Sequence, residues 1–223
     1  MSFEGSVWLS HIHGQHFRAT ILPAISRGAA MWESIRYYPA LFIVVTWPPA
    51  LLFWFVVHPF VDFWRRVGPW ITYAIAVSIM AVIAAGLFRI RDVLLAVEYG
   101  THYPLIIAAL ILNGVTWVVF FPVRKQLTFR ILIGLPELDL KTEQKLLTEG
   151  TFAKTRNPRY VAVMLFGLSV ALLSNYRAGY VVFVAFVVGL YGITLLEEKE
   201  LRARFGKAYE DYCARVPRFI PKL

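Results

Sequence analysis

Long apolar runs are the feature that most limits the folds open to this chain of 223 residues. The runs lie at residues 39–60, 69–88, 101–121, 160–174 and 179–196, and no Asp, Glu, Lys or Arg interrupts them. Hydrophobic residues make up 58% of the chain and charged residues only 17%, which is more apolar surface than one soluble core of this size normally hides. We therefore predict an all-α integral membrane protein with about five transmembrane helices.

The same pattern divides the chain into three regions. Residues 1–38 mix large apolar side chains with arginines, which predicts an interfacial N-terminal segment and not a further span. Residues 39–121 are predicted to hold three transmembrane helices. Residues 122–223 are predicted to hold a catalytic, cofactor-binding region built from a helical hairpin and a C-terminal cytoplasmic amphipathic helix.

Positive charge is distributed unevenly over the predicted loops. With five crossings, 17 of the 23 Lys and Arg residues fall on the side of the long loop and the C-terminal tail. The positive-inside rule therefore predicts a cytoplasmic tail and an N-terminus outside. The net charge of +9 is not accompanied by a nucleic-acid-binding motif, so we predict anionic lipid headgroups as partners and no nucleic acid.

Metal and disulfide chemistry find little support in the sequence. Cys213 is the single cysteine, which excludes an intrachain disulfide. His11, His13 and His16 are close enough in sequence to share a metal ion, but no carboxylate or cysteine completes a ligand set beside them. We predict no metal site.

A polar cluster opens the fourth predicted span. Gly150 is followed by the run Arg156-Asn157-Pro158-Arg159-Tyr160. Asn is a strong N-cap and Pro fits the first helical position, so a helix is predicted to begin here. The free N–H groups and the positive dipole end of such a helix attract a carboxylate or a phosphate. A well-capped membrane helix flanked by arginines would show the same residues without binding anything.

A glutamate pair, Glu197-Glu198, follows the fifth predicted span. Beyond it a repeat at three- and four-residue intervals places several side chains on one helix face, namely Glu198, Leu201, Phe205, Tyr209 and Tyr212. That face is predicted to cover the cytoplasmic mouth of the bundle, and the tail continues to Val216-Pro217-Arg218. An amphipathic tail with solvated glutamates is the simpler alternative.

Together these two constellations resemble the membrane methyltransferases typified by isoprenylcysteine carboxyl methyltransferase and phospholipid N-methyltransferase. The resemblance covers about residues 147–221 and rests on the spacing of the helix start, the glutamate pair, Phe205-Gly206, the two tyrosines and the Val-Pro-Arg ending. This chain departs from the family at Asn157, where His is usual, and at Ala162, where Gly is common.

The resemblance implies an S-adenosylmethionine-dependent methyltransferase acting on a membrane lipid or another lipophilic substrate. It implies a cytoplasm-facing cofactor site formed by Gly150, Arg156, Asn157, Pro158, Tyr160, Glu197 and Glu198. Glu198 and Arg202 would be the catalytic residues. In this interpretation the helix start receives the carboxylate of the cofactor, and the glutamates face its cationic groups. Neither the methyl acceptor nor the oligomeric state can be deduced.

Two other functions stay open at this point. Sterol-type membrane reductases that use NADPH have a similar tail, with Tyr212-Cys213 before Val216-Pro217-Arg218. The glutamate pair favours a methyl donor over NADPH, because the phosphates of a dinucleotide require more cations than carboxylates in the pocket. A non-catalytic scaffold of the same fold is the third possibility, motivated by Asn157 and Ala162.

Overall fold

The computed structural model describes residues 5–127, 131, 138 and 146–220, with side chains from residue 31 onward. Within that part of the chain the regular structure is helical, and no strand forms there. Of the described helices, 4 are long and apolar enough to cross a membrane, and a shorter apolar helix of 17 residues accompanies them. The prediction of an all-α integral membrane protein is confirmed.

Most of the helices follow the apolar runs of the sequence. In chain order they are α1 (Gly5–Val57), α2 (Val61–Val67), α3 (Pro69–Arg89), α4 (Arg91–Leu94), α5 (Tyr103–Gln126), α6 (Pro158–Ser174), α7 (Arg177–Phe205) and α8 (Lys207–Arg215), with a 3₁₀-helix at Gly150–Ala153. The predicted hairpin of the fourth and fifth spans corresponds to α6 and α7.

The first helix is longer than the sequence pattern indicates. α1 passes without a break through residue 38, where the interfacial segment was predicted to end, and Pro39 lies inside it. Proline is tolerated in membrane helices because neighbouring groups satisfy the freed backbone carbonyls. The membrane-spanning part of α1 is Met31–Val57. An interfacial position for residues 1–38 stays a prediction, and the side chains of His11, His13 and His16 lie outside the described residues.

The predicted C-terminal helix is divided by Gly206. The backbone of Gly206 has φ +53°, and its N–H donates to the carbonyl of Arg202 at 2.9 Å. Glycine adopts this conformation without the steric penalty of a Cβ, so α7 ends here and α8 turns away from it. The tail therefore folds back toward the start of α6.

The hairpin of α6 and α7 forms the centre of the bundle. α1 packs against both of its helices, and α5 packs along α6. Trp47 on α1 lies between Phe166 and Phe186, with 4.2 Å between its ring centre and that of Phe186. A Cβ at Gly167 would overlap the Trp47 ring, so glycine is needed for this close approach. Only 6% of the apolar window of α3 is buried, so most of this helix lies at the surface of the described bundle.

Arg36 joins three parts of the chain at the turn between α6 and α7. Its guanidinium donates to Glu98 at 2.8 Å, to Thr101 at 3.3 Å and to the carbonyl of Ser174 at 3.1 Å. The next residue, Asn175, has φ +54° and donates from its side chain to the carbonyl of Gly100. These contacts fasten the end of the bundle opposite to Glu198.

Candidate active site

The carboxylate of Glu198 lies at the centre of a group of arginines, where α6 begins and α7 leaves the bundle. Glu198 is only 1% exposed. Arg218 donates to it twice, from Nε to Oε1 and from Nη2 to Oε2, each at 2.9 Å. Arg156 Nη2 lies 3.2 Å from Oε1, and Arg202 Nη2 lies 3.3 Å from Oε2. We call these four residues the arginine cluster.

The arginine cluster has more positive than negative charge. One carboxylate faces three guanidinium groups, so about two positive charges stay uncompensated within it at neutral pH. The buried Nε of Arg156 has no hydrogen-bond partner among the described residues. A buried donor that lacks an acceptor is unfavourable, and a bound anion would relieve it. The cluster is therefore suited to a phosphate or a carboxylate.

The tail that carries Arg218 is fastened to the start of α6. The backbone N–H of Arg156 donates to the carbonyl of Pro217 at 2.9 Å. The carbonyl of Arg218 accepts from Thr155 Oγ1 at 3.0 Å and from Asn157 Nδ2 at 3.2 Å. Asn157 does occupy the cap position of α6, but its side chain makes no capping hydrogen bond. Its side chain instead helps to bring Arg218 to Glu198.

The neighbouring Glu197 belongs to a second polar group. We call it the Glu197 cluster, and it consists of Glu197, Tyr160, Arg159, His58 and Glu200. Glu197 accepts a hydrogen bond from the hydroxyl of Tyr160, and that hydroxyl accepts one from Arg159 Nη2 at 2.9 Å. His58, at the end of α1, lies between two carboxylates. Its Nε2 is 3.6 Å from Glu197 Oε1, and its Nδ1 is 3.7 Å from Glu200 Oε1. The side chain of His58 is 0% exposed.

An apolar pocket opens beside the Glu197 cluster. Its volume is about 180 Å³, and α1, α6 and α7 form its walls. The lining is apolar apart from Arg159 and Tyr160, and consists of these two residues with Ala50, Leu51, Trp54, Val163, Phe186 and Leu190. A lipophilic molecule bound here would contact Tyr160, whose hydroxyl belongs to the Glu197 cluster.

The structure brings most of the predicted site residues together. The start of α6 and the end of α7 place seven of them within the two clusters or directly beside them: Arg156, Asn157, Pro158, Tyr160, Glu197, Glu198 and Arg202. Gly150 lies apart, in the 3₁₀-helix that contacts Gln126. Its φ is +61°, and a Cβ there would overlap the Gln126 side chain, so local geometry explains this glycine.

Four members of the two clusters were not assigned to a site from the sequence: Arg218, Arg159, His58 and Glu200. Arg218 and Arg159 lie within motifs that the sequence displays, so a signal for them existed. His58 offered only a weak signal, a lone histidine at the end of an apolar run.

The comparison with protein families gives a match over most of the chain. Residues 53–223 match the model described as the ergosterol biosynthesis ERG4/ERG24 family. The matched range includes both polar clusters and the tail. Comparison with the curated proteins and with the solved structures finds no match.

This match contradicts the resemblance to isoprenylcysteine carboxyl methyltransferase and phospholipid N-methyltransferase. The predicted methyltransferase activity and the predicted S-adenosylmethionine cofactor were therefore wrong. The physical reason lies in Glu198, which was interpreted as a carboxylate available to a cationic ligand. Three arginines surround it, so cations outnumber carboxylates at this site. The cationic groups of a methyl donor would instead require an excess of carboxylates.

Proposed function

The chain belongs to the ergosterol biosynthesis ERG4/ERG24 family, and on that premise we propose that it is a membrane reductase that uses NADPH to reduce a double bond in a sterol or sterol-like lipid. Sterol reductases of this family use NADPH. The single observation that best supports the proposal within this chain is the excess of arginine over carboxylate around Glu198.

The arginine cluster is the proposed site for the phosphates of NADPH. Arg202 offers the most accessible guanidinium, with 45% of its side chain exposed, while Arg156 presents a buried Nε that needs an acceptor. Guanidinium groups bind phosphate through paired, charge-assisted hydrogen bonds. In this arrangement Glu198 holds the arginines in position and does not contact the phosphates itself.

The apolar pocket is the proposed site for one end of the lipid. At about 180 Å³ it is smaller than the roughly 300 to 1,000 Å³ usual for pockets that enclose a whole ligand. Several of its lining residues are only partly buried, among them Leu51, Trp54 and Phe186. The remainder of a sterol would therefore extend into the surrounding bilayer, between α1 and α7.

Reduction of a carbon–carbon double bond requires a hydride at one carbon and a proton at the other. When bound, NADPH supplies the hydride and its two electrons. Tyr160 is the proposed source of the proton, because it lines the apolar pocket and its hydroxyl donates to Glu197. Arg159 donates to the same hydroxyl and would stabilise the phenolate that this proton transfer leaves behind.

The proposed orientation places the arginine cluster in the cytoplasm and the N-terminus outside. It rests on the asymmetry of Lys and Arg between the two sets of loops. Cysteines introduced at Lys207 and at His102, in a Cys213→Ser background, would test it. In intact cells an impermeant maleimide should label the position at His102 and spare Lys207, whereas the reverse pattern would contradict the orientation.

The activity itself can be tested with purified protein, an unsaturated sterol and NADPH deuterated at the nicotinamide C4 position. We expect oxidation of NADPH and one deuterium in the saturated product. Tyr160→Phe should lower kcat by roughly 100-fold or more, the scale of a lost general acid. Tyr103→Phe is the matched control, because Tyr103 is 61% exposed at the other end of the bundle. A protein that neither binds nor oxidises NADPH would contradict the proposal and favour a scaffold.

A further inference from the structure

His58 is a buried titratable residue for which the reaction above has no use. It follows directly on the membrane-spanning part of α1, and its side chain is 0% exposed. Its ring stacks on Trp54, with 5.5 Å between the ring centres. An imidazole enclosed between two carboxylates is an unusual arrangement for a residue that only fills space, because a hydrophobic side chain would fill the same volume without desolvating any charge.

We propose that His58 relays protons to Tyr160 through Glu197, and that Glu200 connects this relay to water. The inference rests on the proposed reductase function, since it concerns the source of the proton that Tyr160 gives away. His58 acts through other residues and does not touch the substrate, so its role is that of a positioning and relay residue.

The geometry forms a continuous path from solvent to the pocket. The Glu200 side chain is 21% exposed, and its Oε1 lies 3.7 Å from His58 Nδ1. On the other side of the ring, His58 Nε2 lies 3.6 Å from Oε1 of Glu197, the same oxygen that accepts the hydrogen bond from Tyr160. A shift of a few tenths of an ångström would convert both ion-pair contacts into direct hydrogen bonds.

The proton transfers balance over one turnover. Tyr160 gives its proton to the substrate carbon and becomes a phenolate beside the guanidinium of Arg159. The imidazolium of His58 gives its Nε2 proton to Glu197, and Glu197 passes a proton to the phenolate. The neutral imidazole that remains carries its proton on Nδ1. Tautomerisation moves this proton to Nε2, and the freed Nδ1 then takes a solvent proton by way of Glu200, which restores the imidazolium. The hydride from NADPH accounts for both electrons, so the relay requires no further reactant.

Two carboxylates flank the buried ring of His58. The carboxylates of Glu197 and Glu200, both on α7, face the ring directly. Arg159 and Tyr160 of α6 contact the same oxygen of that carboxylate, Glu197 Oε1. Two carboxylates next to one imidazole stabilise its charged form, whereas complete burial of the ring opposes that charge and makes the proton available for transfer.

The relay can be tested by the pH dependence of kcat in the full-length protein, measured as NADPH oxidation with saturating sterol. Wild-type kcat should fall as pH rises and His58 loses its proton. His58→Gln should lower kcat by roughly 10- to 100-fold, leave the KM for NADPH within about twofold, and remove that limb of the profile. Glu200→Gln should lower kcat in the same direction with a smaller effect.

His102→Gln is the matched control, because His102 is exposed and its Nε2 contacts the carbonyl of Tyr99 at the opposite end of the bundle. It should retain the wild-type profile. A His58→Gln variant that is folded and keeps the high-pH limb would overturn the relay while leaving the reductase function intact. Failure of the reductase function itself would be recognised separately, as absence of NADPH oxidation in the wild type. Circular dichroism of each variant establishes that it is folded.

Discussion

The guanidinium of Arg218 forms two hydrogen bonds with the carboxylate of Glu198, each 2.9 Å long, across the helix break at Gly206. Hydrogen bonding to Glu198 raises the pKa of Arg218 above its usual value, which favours the charged form of the arginine. The buried carboxylate consequently unites three segments of chain, the start of α6, the end of α7 and the tail.

Glu198→Ala should lower the free energy of unfolding by about 3 to 5 kcal/mol, because three guanidinium groups would lose the one carboxylate that neutralises them. Thermal unfolding in detergent measures the loss. Glu210→Ala is the control, since Glu210 is exposed on α8 and its replacement should change stability by about 0.5 kcal/mol or less. Equal stabilities for the two variants would show that Glu198 has no structural role in the arginine cluster.

Arg202→Gln should weaken NADPH binding by roughly 10- to 100-fold, the effect of losing one charge-assisted hydrogen bond to a phosphate. Folding should be affected little, because Arg202 is the most exposed of the three arginines. Lys199→Gln is the matched control, since it removes a positive charge from an exposed position of the same helix. Unchanged affinity in Arg202→Gln would place the NADPH phosphates elsewhere.

Arg36→Gln should destabilise the protein by about 3 to 5 kcal/mol, because Glu98 and the carbonyl of Ser174 would lose a buried donor. Glu98→Gln should have a much smaller effect, about 1 kcal/mol or less, since the Glu98 side chain is 44% exposed and Gln can still accept from Arg36. Unfolding temperatures of the two variants test the difference. If Glu98→Gln were the more destabilising change, the hydrogen bond from Arg36 to the carbonyl of Ser174 would contribute little to stability.

Tyr212 should make stability depend on pH in the alkaline range. Burial raises its pKa from 10 to about 12, and its hydroxyl donates to the carbonyl of Phe152 at 2.7 Å. The folded state therefore retains a proton that the unfolded state loses, and the stabilisation is complete below pH 10 and lost between pH 10 and 12. Unfolding of wild type and Tyr212→Phe across this range measures the effect. A wild type and variant with parallel pH dependence would contradict it.

The sequence predicts the membrane helices well because their signal is local. The apolar runs at residues 160–174 and 179–196 correspond closely to α6 and to the apolar part of α7. The start of α6 at Pro158 was likewise predicted, since a cap and a first-turn proline are read from adjacent residues. The first span was predicted to begin at residue 39 because Arg36 and other arginines precede it, whereas the membrane-spanning part of α1 begins at Met31 and the charge of Arg36 is paired with Glu98.

The polar clusters could not be predicted in the same way, because their members are distant in the sequence. Arg156 contacts Glu198 because the hairpin brings the start of α6 beside the end of α7. Arg218 contacts it because the chain reverses direction at Gly206. His58 reaches Glu197 from the opposite end of the matched region. Glu198 was accordingly predicted as a ligand at a hydrated surface, whereas the structure places it among the most buried side chains.

The arginine that contacts Glu198 most closely is the last of the three to be synthesised. Arg156 and Glu198 enter the translocon with the hairpin, and Arg202 follows within one helical turn. Arg218 is synthesised only after α8, yet it forms the two shortest contacts with Glu198. A nascent chain stopped before Val216 would therefore hold an inserted hairpin with an incompletely paired carboxylate.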